Sequence, residues 1–324
     1  MENKEGRNHR APLPVSIIIP CYNYARFLGA ALDSVLAQTY PALEVIVIDD
    51  GSPDNTGEVV ARYGDRVRYI HQENQGLSAS RNNGIQLASH DFIALLDADD
   101  EWEPTFLESL MAKMLSLPES FGLVACLDYK IGVDGEVILD RNRDSLTGEV
   151  TSRDLLLKNR FFPGAVVIRK ALFAQVGGFD TALRSSEDRD MWIRLSAACR
   201  LWIIPDKLIR VRKHGNNMSG HGARMRENKK KVLAKARKEG VVGRSAYTFW
   251  LQAHSVVDYQ TSWIFHGECK HWPALRGIIR SFLLWPLPMN HVRLDVPIFF
   301  RIRALPRFIL AWLGSLLFSD KDTR

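Results

Sequence analysis

The sequence predicts an α/β protein built on a doubly wound, mostly parallel sheet, and three observations predict it. Between Val15 and Leu96, strand-like and helix-like apolar runs alternate. The strand-like runs are continuous stretches of Val, Ile and Leu, the pattern of strands covered by helices on both faces. Polar and acidic residues follow directly on those runs, where ligands bind in such sheets, beyond the carboxyl ends of the strands.

In chain order, VSIII, LEVIVID, VRYI and FIALL read as strands, separated by helical FLGAALDSVLAQ, NTGEVVARY and LSASRNNGIQLA. Right-handed crossovers turn this βαβαβαβ series into a layered sheet. Past Trp102 the pattern becomes mixed: a helix from about Pro104 to Leu115, strand-like FGLVACLDYK, a turn at Val133–Gly135, and GAVVIRK before a short helix. Ser186 to Ala198 reads as a helix in which Met191, Leu195 and Ala198 share a face, with two serines placed to cap it. From Ala223 to Gly267 two further helices are expected, the first strongly basic and the second aromatic.

Composition sets the bounds. With 324 residues, 46% hydrophobic and 25% charged, the chain has an ordinary globular make-up. Residues 1–14 are polar, end in prolines, and lack the apolar stretch of a secretory signal, so a flexible leader and a cytoplasmic location are expected. The four cysteines are widely spaced, which argues against a disulfide framework or a structural zinc. The net charge of +6 lies entirely after Cys269, where nine Lys/Arg face three Asp. That tail is rich in Trp, Phe and Leu, including Trp272, Phe282, Trp285, Phe299, Phe300 and Trp312. Cations among interfacial aromatics suit a membrane surface rather than nucleic acid. A buried helical subdomain or a dimer surface is the alternative. The uncharged apolar run Phe308 to Phe318 in that tail is shorter than the roughly 20 residues that span a bilayer.

Three groups of residues carry chemistry. Asp97 and Asp99 follow FIALL two positions apart, so an extended chain would turn both carboxylates to one side and Ala98 to the other. Such a pair suits magnesium or manganese, whose remaining oxygens come from water and a diphosphate; a solvated acidic turn would read the same. Asp49 and Asp50, after the second strand, can accept from a base or a ribose hydroxyl, or simply form a turn. Glu187 and Asp188 open the Ser186–Ala198 helix, where the dipole favours a charged carboxylate and suits a general base; first-turn acids are equally routine decoration. His214 lies in the basic, glycine-rich RVRKHGNNMSGHGAR, either a lid residue near metal and phosphates or an exposed loop histidine. No GxGxxG, GxxxxGK[ST] or GxSxG motif is present, which disfavours a dinucleotide cradle, a P-loop and a hydrolase elbow.

Taken together, VSIIIPCYNYARFLGAALDSVLAQTYPALEVIVIDDGSPDNT, NQGLSASRNNGI, ALLDADDEW, VGGFD and SEDRDMWIRL resemble, in order and spacing, the family-2 glycosyltransferases over residues 14–220. The resemblance implies a GT-A nucleotide-sugar-binding fold in residues 15–220, with residues 221–324 as a helical C-terminal region ending in a membrane-proximal tail. It implies that Pro20, Tyr22, Asp49 and Asp50 form the nucleoside pocket and that Asp97, Ala98 and Asp99 form the DxD motif, Asp99 nearest a Mn2+ or Mg2+ ion with Asp97 and His214. Asp188 would be the catalytic base beside Glu187, and Arg81 would face the nucleotide, brace the acidic cluster or form a purely structural ion pair. The implied reaction is inverting transfer of one sugar from a nucleoside-diphosphate sugar, uridine-linked donors being commonest, to a glycan or lipid-linked acceptor in polysaccharide or glycoconjugate synthesis. A non-catalytic nucleotide-sugar-binding scaffold is the competing class. The sequence lacks the QxxRW motif and the spans of the processive members, which favours single transfer.

Overall fold

The computed structural model describes residues 12–41, 43–138, 146–215, 220–243, 245–287 and 299–318. Most of the expected leader and the middle of the glycine-rich stretch, residues 216–219, lie outside them.

The first half follows the expected alternation: β1 (Val15–Cys21), α1 (Ala25–Leu36), β2 (Leu43–Asp49), α2 (Thr56–Ala61), β3 (Arg68–His71), α3 (Leu77–Leu87) and β4 (Phe92–Leu95). Every residue of β1 and of β4 is buried, as continuous apolar strands under two helical layers should be. In α1, Phe27, Leu28, Ala31, Leu32 and Val35 form the buried stripe. After β4 come β5 (Glu101–Trp102), α4 (Phe106–Ser116), β6 (Phe121–Ile131), β7 (Val137–Ile138), β8 (Gly148–Val150), α5 (Ser152–Leu157), β9 (Val166–Arg169), α6 (Ala171–Val176), α7 (Glu187–Ala198) and β10 (Arg200–Arg212).

One sheet takes all ten strands, its main path running β3-β2-β1-β4-β9-β6-β10-β5. The pairs β3/β2, β2/β1, β1/β4 and β6/β10 are parallel, whereas β9 runs against both β4 and β6. Strand order reverses at β1, so the crevice between the carboxyl ends of β1 and β4 is the ligand position of an open α/β sheet. Because two reversals separate β4 from β6, β10 points the same way as β4 and brings its carboxyl end to that edge. Helix α3 lies close on β1: a Cβ at Gly84 would come within 2.3 Å of Ile18 Cγ2, so only glycine fits. One turn earlier, the same helix carries Arg81.

The C-terminal region is helical: α8 (Gly222–Glu239), α9 (Tyr247–Gly267), α10 (His271–Leu284) and, after residues outside the described set, α11 (Phe300–Phe318). Val232, Leu233, Trp250 and Val257 of α8 and α9 belong to the same core as the sheet. Lys235 of α8 reaches Asp180 and Asp190 at 2.8 and 3.1 Å, fastening it to α7. Helices α10 and α11 close a smaller cluster of Phe265, Ala274, Ile278, Ala304 and Phe308. Arg301 is buried and donates to the carbonyls of Ser281 and Leu287, which caps the end of α10.

Two sequence-based expectations change. The serines before α7 do not cap it through their side chains: Ser186 is left-handed (φ 61°), and the Ser185 hydroxyl accepts from Asn228 Nδ2 at 2.9 Å. Asp97 and Asp99 are not in extended chain, because β4 stops at Leu95 and the Asp100 amide turns back to the Asp97 carbonyl at 3.0 Å.

Candidate functional site

The turn sends its carboxylates to different partners. Asp97 Oδ1 accepts from Arg81 Nη2 at 2.6 Å, and the other arm of that guanidinium, Nη1, donates to Glu187 Oε1 at 2.9 Å. Arg81 is 1% exposed and therefore joins, out of water, two acidic motifs that stand ninety residues apart in the sequence. Fully desolvated cations of this kind persist only when paired. The observed contacts of Arg81 are with these two acidic motifs, as both a brace and a purely structural ion pair would have them.

Asp99 is paired with His214, Nε2 to Oδ2, at 2.9 Å. The imidazole is not on an exposed loop: its side chain is 2% exposed, stacked on Phe27 with ring centres 5.4 Å apart and flanked by Tyr24 at 5.5 Å. Burial, then the charge of Asp97, pushes the Asp99 carboxyl above its ordinary range. Burial, then Asp99 and Asp97, does the same more strongly to Asp100, which the sequence reading left out of the site. Burial and then Asp99 also raise the Tyr24 phenol to about 12. Arg212, at the end of β10, locks the turn: its amide donates to Asp100 Oδ1 at 2.9 Å, its Nε to the Asp99 carbonyl at 3.1 Å, and its Nη2 to Glu101. His214 follows two residues later.

This donor set fits a divalent cation in one specific way. Among the described residues no cluster of three or more His, Cys, Asp or Glu is arranged to hold a metal. Asp99 with His214 offers one carboxylate and one imidazole in a site with excess negative charge, which suits a cation sharing its sphere with a diphosphate and water rather than a protein cage. Asp97, engaged by Arg81, stands beside that pair.

The residues expected on the nucleoside side are held as firmly. Asp49 is 2% exposed and accepts from Tyr69 Oη at 2.5 Å and from the Ser52 amide at 2.8 Å. Asp50, 3% exposed, gathers the 72–76 loop by accepting from Gln72 Nε2 (2.7 Å) and the amides of Gln75 (2.9 Å) and Gly76 (2.7 Å). Pro20 and Ala98 are buried, whereas Tyr22 is 48% exposed. Asp54, absent from the sequence reading, accepts from the Ala25 amide at 2.9 Å and so anchors the start of α1 beside the crevice.

At the other end of the Arg81 bridge the two acids of α7 have separated. Glu187 is 6% exposed and belongs to Arg81. Asp188 is half-buried and forms no ion pair among the described residues; its Oδ1 accepts from the Arg189 amide at 2.7 Å and its Oδ2 from Asn159 Nδ2 at 2.6 Å. Desolvation by burial, then the charge of Glu187, raises its carboxyl to about 6, with the Arg189 amide, Arg81 and Asn159 opposing. A carboxylate of that basicity is a better proton acceptor near neutral pH than an ordinary aspartate. Asn159 had no signal in the sequence: it lies in the connection after α5, outside any motif or periodicity. A cavity of about 690 Å³ lined by Ser152, Arg194 and Glu239 among others includes none of these acidic residues.

The chain is similar to known proteins in sequence and in fold. A family model described as Glycosyl transferase family 2 matches residues 16–175. Uncharacterized glycosyltransferase RT0329 of Rickettsia typhi is 31% identical over 219 residues, covering 64% of this chain and 66% of that protein. Uncharacterized glycosyltransferase YibD of Escherichia coli is 38% identical over 148 residues, 44% of this chain and 42% of that protein. The match thus spans just under two thirds of the first relative and less than half of the second. Among solved structures, S. aureus TarS (residues 1–349) superposes with a TM-score of 0.60 at 17% identity, over 94% of this chain and 88% of that one. Mannosyltransferase PcManGT from Pyrobaculum calidifontis, in complex with GDP-Man and Mn2+, gives 0.61 at 17% identity, over 96% and 89%. At such identity the likeness speaks for the fold, which is GT-A with added C-terminal helices.

Proposed function

Because residues 16–175 belong to glycosyl transferase family 2, we propose that this chain transfers one sugar, with inversion, from a nucleoside-diphosphate sugar to a hydroxyl of a glycan or lipid-linked acceptor. The observation that supports the reading is the Arg81 bridge, which joins the Asp97–Asp99 turn to Glu187, the residue before Asp188. A nucleotide-sugar complex of TarS, with UDP-GlcNAc, and the GDP-Man complex of PcManGT support the donor class. A uridine nucleotide and a hexosyl or N-acetylhexosaminyl group are the proposed donor, and cell-surface polysaccharide or glycoconjugate synthesis the proposed setting.

In this mechanism Asp188 takes the proton of the acceptor hydroxyl as that oxygen attacks the anomeric carbon opposite the departing diphosphate. A single displacement inverts the configuration. Arg81 and Glu187 hold the start of α7 in place, while Tyr22, Asp49 and Asp50 line the nucleoside end. Asp99 and His214 would hold Mn2+ or Mg2+, which supplies Lewis-acid neutralisation of the leaving diphosphate. Replacing Asp99 by Ala is expected to weaken Mn2+-dependent donor binding by about tenfold or more. Calorimetry with a donor panel reads this, and unchanged affinity removes Asp99 from the site.

We also propose the division into a catalytic part, residues 15–220, and a helical part, residues 221–324, that rests on the inner face of the cell membrane. No helix among the described residues is long and apolar enough to cross a bilayer. Helices α10 and α11 instead expose Leu283 (78%), Leu310 (69%), Ile302 (58%) and Leu316 (54%), with Arg276, Arg303 and Arg307 also exposed on the pair. Apolar side chains amid cations suit an anionic lipid surface. The supporting residues differ from those singled out by composition: Trp272 and Phe299 are exposed, but Phe300 is 5% exposed and Arg301 is buried within the helical pair. The double substitution Leu310→Asp, Leu316→Asp is expected to cut binding to vesicles containing phosphatidylserine by about tenfold or more without lowering thermal stability. Equal binding of both proteins would end the membrane proposal.

A further inference from the structure

Asp188 owes one of its two hydrogen bonds to its own helix and the other to a distant segment. The Arg189 amide belongs to the next residue and constrains the carboxylate only locally, whereas Asn159 reaches it from 29 positions earlier, beyond the end of α5 at Leu157. The asparagine makes this contact at a cost: its Oδ1 is buried and has no hydrogen-bond partner among the described residues. An acceptor left unpaired out of water is unfavourable, and an asparagine retained for stability alone has no reason to occupy such a place. Locally unfavourable placements of this kind concentrate at working sites.

We propose that Asn159 is a positioning residue for the base: its amide fixes the orientation of the Asp188 carboxylate toward the acceptor hydroxyl and favours the ionised form that can accept a proton. This rests on the reading of Asp188 as base. An N–H donor stabilises the charged carboxylate more than the neutral acid. The other charges facing Asp188 are Glu187, which opposes ionisation, Arg81 from α3, which favours it, and Arg189 and Lys229, the latter on α8 with its Nζ donating to Gln260 Oε1 at 2.9 Å. With the Asn159 amide gone, burial and Glu187 act with less opposition and Asp188 keeps its proton to higher pH.

The test compares Asn159→Ala, Asn159→Asp and Asp188→Asn in the full chain. Release of nucleoside diphosphate is followed from UDP-GlcNAc, UDP-glucose and GDP-mannose between pH 5 and 9. Thermal unfolding without substrate is followed over the same range. For Asn159→Ala, kcat is expected to fall by about tenfold at neutral pH, the acid limb to move up by about one pH unit, and the donor KM to change little. Asn159→Asp, nearly isosteric, places a second carboxylate against the first; the pair cannot both ionise, so activity is lost at pH 7 and returns only at higher pH.

Unfolding gives the same readout without a donor. Because the folded carboxyl titrates at about 6 against 3.8 in the unfolded chain, Asp188 contributes stability that is present below the unfolded value and lost as pH rises through about 6. Relative to Asp188→Asn, that loss should extend to higher pH in both Asn159 variants. If the Asn159 variants keep the wild-type limb, kcat and unfolding profile while Asp188→Asn is inactive, Asn159 is structural and the base assignment stands. If Asp188→Asn transfers sugar at the wild-type rate, the base assignment falls and this proposal with it.

Discussion

Asp188→Asn is expected to abolish sugar transfer while leaving the fold and donor binding in place. The amide matches the carboxylate in size, and at a half-buried position it can still accept from Arg189 N–H or from Asn159, so packing is preserved. It cannot accept a proton. Loss of a positioned general base costs on the order of 10² to 10⁴ in rate, and donor affinity, which depends on the other end of the crevice, should stay within about twofold. The pH profile of the wild-type protein supplies the companion result: transfer by the donor-free form should fall as pH drops through about 6, where the Asp188 carboxyl takes up its proton. Rates of nucleoside diphosphate release and calorimetric donor affinity check both halves.

Arg81→Met is expected to damage the protein more broadly. Methionine fills much of the volume beneath Phe179, over whose ring the guanidinium sits at 5.3 Å, but it leaves Glu187 buried without a counter-charge and Asp97 without its partner. Breaking one side of a buried ion pair costs about 3–5 kcal/mol, far more than the net worth of the intact pair. Chemical denaturation should show this loss, together with loss of transfer, because the two acidic motifs are no longer tied together. Arg81→Lys should recover only part, since one ammonium on a flexible stem cannot reproduce the fork that bonds Asp97 and Glu187 at once. If Arg81→Met unfolds within about 1 kcal/mol of wild type, the bridge is not what assembles the site.

The residues that sequence could reveal are those whose role is set by local pattern. The all-buried β1 and β4 announce themselves as continuous Val, Ile and Leu, and the acids after β2 and β4 stand where strand ends put them. Side-chain direction was less legible. Two acids at i and i+2 share a side only in extended chain, and β4 ends two residues too early, so Asp97 and Asp99 diverge toward Arg81 and His214. Serines before a helix predict a cap only if Ser186 adopts extended backbone, and it is left-handed instead. Contacts set by tertiary folding had no local trace at all: Asn159 on Asp188, Asp54 on the Ala25 amide, and Arg212 on the Asp99 carbonyl join segments that the topology alone brings together. In the tail, composition located the aromatic and basic residues but could not say that Phe300 and Arg301 turn inward while Leu283 and Leu310 face out.

The central claim is that this chain binds a nucleoside-diphosphate sugar through a divalent cation at Asp99 and His214 and transfers the sugar. Calorimetric titration of the purified chain with UDP- and GDP-sugars, in Mn2+, in Mg2+ and in EDTA, with nucleoside diphosphate release scored in parallel, tests it most directly. The expected result is binding of one donor in the presence of metal, lost in EDTA, with slow release of nucleoside diphosphate by hydrolysis. Absence of donor binding under every metal condition would contradict it and leave a fold retained without transferase chemistry.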